Sequence, residues 1–125
     1  MQTKADFPAA LLVGKQPSPL VEALFELNQL KLLYRQGWLR RGVPPAQCES
    51  VAEHIFSMAM LAMVLADAYF PHLDMLRVLR LVLLHDCGEI YAGDIVPADG
   101  VSAEEKQRRE RESVERVFAH LPNGA

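Results

Sequence analysis

Apolar positions recur every three to four residues along most of the chain, proline and glycine divide these runs into blocks, and no stretch alternates with period two. The pattern predicts an all-α fold. Ser18-Pro19 is a good helix start, and Leu20, Leu24, Leu27 and Tyr34 then keep helical spacing, predicting a first helix from Pro19 to Arg35 that "QGW" stops. Tandem prolines make "RRGVPPAQC" a loop. Ser50-Val51-Ala52-Glu53 has the form of a capping box, opening a helix to Tyr69 with His54, Met58, Leu61 and Leu65 on one face. Pro71 ends it.

Asp74 caps a third helix through "MLRVLRLVLLHD", whose Val78, Leu81 and His85 form one stripe expected to face inward. Gly88 and Gly93 flank a short helical turn, and "DIVPADG" reads as a loop. A second capping box, Ser102 to Glu105, opens a charged helix to about His120, with Val114, Val117 and Phe118 as its buried side. Its opposite charges three and four residues apart describe a solvated face. Residues 1–18 read as a flexible lead-in with no signal-peptide pattern, leaving 19–125 as one domain.

Composition narrows the function classes. A net charge of −3 argues against a broad nucleic-acid surface, although a few arginines could hold one small anion. No run of about 18 or more apolar residues suggests a membrane span. Cys48 and Cys87 lack metal-ligand spacing and cannot build a disulfide framework, which fits a reducing cytoplasm.

Candidate chemistry gathers in "LVLLHDCGEIYAGDI", Leu81 to Ile95. Either histidine alone, His54 or His85, reads more readily as a core imidazole bonded to backbone. Asp86 changes the balance, because an aspartate near a helix C-terminus needs a nearby counter-charge. Two imidazoles and a carboxylate suit a divalent transition ion better than calcium. Glu89, three residues past Asp86, would project near the same place and is suited to passing a proton; the alternative is a surface carboxylate. Asp94, after Gly93, also fits an ordinary turn.

The ordered set R-x-G-W, E-S-V-x-E-H, H-D-x-x-E and G-D-I-x-P-A-D resembles the HD-domain metal-dependent phosphohydrolases, and within them the YfbR-type 5'-deoxynucleotidases, over Leu30 to about Leu121. The resemblance implies an HD-domain helical bundle with His54, His85 and Asp86 as ligands of a divalent ion (Mn, Co, Mg, Zn, Ni or Fe). It implies Glu89 and Asp94 as catalytic carboxylates, Arg35 on the substrate phosphate and Trp38 along the nucleoside. The implied activity is hydrolysis of (deoxy)nucleoside 5'-monophosphates to nucleoside and phosphate, and the implied assembly is a homodimer.

The family's fourth ligand, an aspartate in a later helix, has no counterpart, since no Asp follows Asp99. The expectation is therefore an HD domain without its final helices and with apolar surface left uncovered. The competing expectation is an impaired remnant serving as a metal-binding or oligomerisation module. A two-iron oxygenase is disfavoured, because His72 beside Pro71 reads as a loop residue rather than an added ligand.

Overall fold

The computed structural model describes residues 2–122. Six α-helices carry the fold: α1 (Pro19–Leu27), α2 (Gln36–Arg40), α3 (Val51–Tyr69), α4 (Met75–Leu84), α5 (Glu89–Ala92) and α6 (Ala103–Phe118). Among the described residues there is no strand, only isolated bridges pairing Thr3 with Leu33 and Tyr34 with Ser50. The fold is all-α.

Helix starts follow the local chemistry. Ser18 accepts from the Val21 N–H, with Pro19 in the first turn where its missing donor costs nothing. Ser50 and Glu53 form the complete reciprocal box, the Ser50 N–H donating to Glu53 Oε2 and the Glu53 N–H to Ser50 Oγ. Asp74 accepts from the Leu76 and Arg77 N–H groups. At α6 only half of the expected box forms: Ser102 accepts from the Glu105 N–H, but the Glu105 carboxylate turns to Arg108 and Arg109.

The first helix is shorter than its spacing predicts. It ends at Leu27, where the Asn28 side chain donates to the Leu24 carbonyl, and a 3-10 turn follows over Asn28–Lys31. The chain then extends. The Val51 N–H donates to Leu33 O and the Arg35 N–H to Glu49 O, so Leu33 to Arg35 spend their backbone groups on the approach to α3 rather than on a helix. "QGW", expected as the stop, instead begins α2.

The residues before α1 also make defined contacts. The Lys4 N–H donates to Leu32 O at 2.8 Å, and the Phe7 ring stacks on Tyr91 at 5.2 Å between centroids. A 3-10 turn over Pro8–Leu12 follows.

The core joins Leu30, Leu33, Val51, Ile55, Cys87, Ile90 and Val117, so it binds the start of α3 to α5 and the end of α6. Val117 and Phe118 face it as expected, while Val114 is only partly buried. Further along, α3 and α4 form a hairpin packed chiefly on itself. Here the expected faces fail: Met58, Leu61 and Leu65 of α3 and Leu81 of α4 are exposed, whereas Met75, Val78, Leu79 and Val82 are half-buried. Both helices are apolar on more than one side, and a helical period cannot say which side a neighbour covers. By length and a mean hydropathy of 1.5, α3 is also the helix among the described residues that could cross a membrane, contrary to the sequence expectation; the same helix holds His54 and lies along α4.

Candidate metal centre and anion pocket

The hairpin and the turn after it bring His54, His85 and Asp86 together. His54 lies in the second turn of α3, His85 caps the C-terminus of α4, and Asp86 opens the turn leading to α5. Asp86 Oδ2 stands 3.5 Å from His54 Nε2 and 3.1 Å from His85 Nε2, and the two rings meet edge-on at 5.7 Å. One donor atom from each residue lies within 4.8 Å of the other two.

The donor chemistry fits a cation. His85 Nδ1 sits against the Val82 carbonyl, which can only accept, so the backbone holds that nitrogen and Nε2 is the one that faces Asp86. With Nδ1 of His85 held by backbone, the Nε2 atoms of both rings and the Asp86 carboxylate are left as the set of donors turned toward one another. Burial is the largest cause lowering the His54 pKa, Arg35 adds to it, and Asp86 and Glu49 oppose it. A neutral imidazole is the form that binds metal.

Glu89 lies at the first position of α5, 7% exposed, with Oε2 lacking a hydrogen-bond partner. Burial above all, with the charges of Asp86, Asp94 and Glu110 adding to it and Arg35 opposing them, raises its pKa to about 9. In the metal-free chain Glu89 therefore carries a proton at neutral pH. The neighbouring Cys87 thiol is buried and pushed up to about 11, which leaves it inert as a nucleophile.

Asp94 does more than terminate a turn. Its Oδ2 accepts from the Gln36 N–H at 2.8 Å, tying the chain after α5 to the first residue of α2. Arg35, just before α2, and Trp38 on it line a pocket of about 580 Å³ with Arg40, Arg41, Val96 and Pro97. Arg40 in turn pairs with Asp99, whose other oxygen accepts from the Val96 N–H. The "DIVPADG" loop is thus fastened to α2 at both ends. Trp38 remains 40% exposed, a wall of the pocket rather than a core aromatic.

Sequence reading overlooked three contributors. Glu49 Oε1 stands 3.9 Å from His54 Nδ1, behind the ligand-facing nitrogen, in a motif whose serine and histidine attracted the attention. Arg41 adds a third guanidinium to the pocket. Gly88 sets the depth of Glu89, because a Cβ there would lie 2.8 Å from Glu110 Cβ and 3.1 Å from Glu110 Cα and O. Backbone atoms of α6 cannot step aside as a side-chain tip could. Gly88→Ala is expected to destabilise the chain by about 1–3 kcal/mol, read from urea unfolding, because α5 and Glu89 must shift from α6.

This all-helical frame, with a histidine on one helix facing a His-Asp pair at the end of the next, is the arrangement the sequence resemblance anticipates. Residues 27–125 match the HD domain family, and the chain belongs to it. It is 41% identical over 115 residues to the 5'-deoxynucleotidase HDDC2 of Bos taurus, covering 92% of this chain and 54% of the relative. It is 36% identical over 107 residues to the 5'-deoxynucleotidase YGK1 of Saccharomyces cerevisiae, covering 83% of this chain and 47% of that one. A crystal structure of a predicted metal-dependent phosphohydrolase from Magnetospirillum magnetotacticum MS-1 superposes with a TM-score of 0.64 at 33% identity, over 83% of this chain and 51% of that one. The chain thus spans about half the length of the proteins it matches.

Proposed function

We propose that this chain carries the reaction centre of a divalent-metal-dependent phosphomonoesterase that hydrolyses nucleoside 5'-monophosphates, deoxynucleotides first among them. The observation that carries the reading is the convergence of His54, His85 and Asp86 on one point with a buried carboxylic acid, Glu89, a short turn away. The relatives named 5'-deoxynucleotidase point to the substrate class.

His54, His85 and Asp86 would hold the ion, three protein ligands being enough to leave positions open for substrate and water. When bound, a divalent cation supplies Lewis acidity toward a phosphoryl oxygen and toward water. The Arg35 guanidinium holds the substrate phosphate through paired N–H donors and balances charge that builds on its oxygens during transfer. Water attacks phosphorus as the bond to the 5'-oxygen breaks; Glu89, protonated, delivers its proton to the departing 5'-oxygen and takes up the proton that the attacking water releases. Asp94 acts through α2: by fixing the Gln36 N–H it fixes the helix that carries Trp38, which lines the nucleoside side of the pocket.

The test is phosphate release from a panel of deoxy- and ribonucleoside 5'-monophosphates after chelation and after return of Mn, Co, Mg, Zn, Ni or Fe. The expected result is turnover restored by metal, with Arg35→Lys raising KM about tenfold or more because an ammonium cannot reproduce the bidentate contact. Metal-independent release would reject the metal-dependent mechanism, and no release from protein that is folded and metal-loaded would reject the enzyme reading. The latter outcome would favour the binding module.

A further inference from the structure

A second set of donors converges where α1 meets the chain just past α6. Glu22 and Glu26 stand one turn apart on α1, and His120 reaches them from 94 residues away in sequence. His120 Nε2 lies 3.1 Å from Glu26 Oε1, and Nδ1 lies 3.6 Å from Glu22 Oε2. One donor atom from each of the three lies within 4.8 Å of the others.

Two features of this cluster exceed what packing two helices requires. Glu26 is 4% exposed, yet its Oε2 has no hydrogen-bond partner, in an interior where polar atoms are almost always paired. Both ring nitrogens of His120 also face carboxylates, so one imidazole from the end of α6 is held between two acidic side chains of α1. The surroundings offer limited relief. Burial is the largest cause pushing the Tyr91 phenol upward, the charge of Glu26 and a hydrogen bond from the Tyr91 hydroxyl toward the Glu26 carboxylate add to it, and the Arg116 guanidinium, stacked over the Tyr91 ring at 3.9 Å, opposes it. His120 and Glu22 remain partly open to solvent, so an ion could enter.

We propose that Glu22, Glu26 and His120 form a divalent transition-metal site, best suited to zinc, that fastens α1 to the end of α6. One imidazole and two carboxylates make a three-ligand set with a position left for water, and the imidazole favours zinc, cobalt or nickel over calcium. The ion supplies positive charge between the two carboxylates and a partner for the buried Glu26 side chain. The site shares no residue with His54, His85 and Asp86, and it does not depend on the proposed hydrolase activity.

The test is a zinc titration of metal-stripped protein, with bound equivalents read by competition against a chromogenic chelator and thermal unfolding followed at each step. Wild type is compared with His120→Ala, Glu22→Gln and His54→Ala. The expected result is that His120→Ala binds one equivalent fewer than wild type and loses part of the zinc-dependent rise in Tm. Glu22→Gln, at a half-exposed position that leaves buried Glu26 in place, weakens that same equivalent about tenfold or more. His54→Ala retains it. Equal stoichiometry and equal Tm increments in wild type, His120→Ala and Glu22→Gln would overturn the site and leave His120 as an imidazolium clamped by two carboxylates. Failure of the HD triad to take zinc would change the wild-type count but not the difference between wild type and His120→Ala, so the two metal sites are judged separately.

Discussion

His85→Ala is expected to lower metal-dependent phosphate release by about a hundredfold to a thousandfold or more, the scale of losing about 3–4 kcal/mol of charge stabilisation in a transition state. The metal-free chain should keep its stability within about 1 kcal/mol, because His85 lies at a helix end with a third of its side chain exposed and contributes little packing. The physical reason for the split is the place of Asp86. Its Oδ2 lies within 3.5 Å of both imidazoles, so removing one leaves the remaining pair too few donors to hold an ion firmly. Steady-state phosphate release beside urea unfolding of chelated protein checks both halves. Turnover within tenfold of wild type would show that His85 is not a ligand.

Glu89→Gln carries the second large effect, and it separates chemistry from stability. The folded pKa of Glu89 is about 9 against an ordinary value of 4.5, so above pH 4.5 the native chain holds a proton that the unfolded chain has released. Stability contributed by this difference is fully present below the unfolded value and is lost as pH climbs toward 9, by up to about 1.4 kcal/mol per pH unit. Glutamine does not titrate. In chelated protein the variant should show a flatter dependence of urea midpoint on pH and exceed wild type by about 3–5 kcal/mol at pH 8. The same variant should lose about a hundredfold or more in kcat with metal present, because the amide has no acidic proton to deliver. Parallel stability curves for wild type and variant would mean that Glu89 is ionised at neutral pH and could not act as the proton donor described above.

These two side chains also show how differently parts of the site could be read in advance. His85 and Asp86 announce themselves, since an apolar helix ending in His-Asp presents a charge that a helix C-terminus does not favour. His54 could be paired with them because the capping box at Ser50 and Glu53 sets where α3 begins, and hence which turn carries the histidine. The proton on Glu89 was not legible. It follows from burial against α6, where Gly88 admits Glu110, and from carboxylates at Asp86 and Asp94 brought to bear by the fold. Arg35 was placed by motif alone; periodicity put it at the end of a long first helix, whereas the chain is extended there and Arg35 precedes α2.

By itself the sequence determined the all-α class, the starts of α1, α3, α4 and α6, and the residue types able to meet a metal. These depend on side chains acting on backbone within a turn, through Ser18, Ser50, Asp74 and Ser102, and on apolar period. Tertiary structure decided where the first helix stops, because pairing of Leu33 to Arg35 with the approach to α3 competes with helical hydrogen bonds for the same groups. It also decided which sides of α3 and α4 are covered, since both helices are apolar around much of their circumference. Most of all, it decided that His120 meets Glu22 and Glu26: contacts across such a sequence separation arise from packing, and no local propensity encodes them.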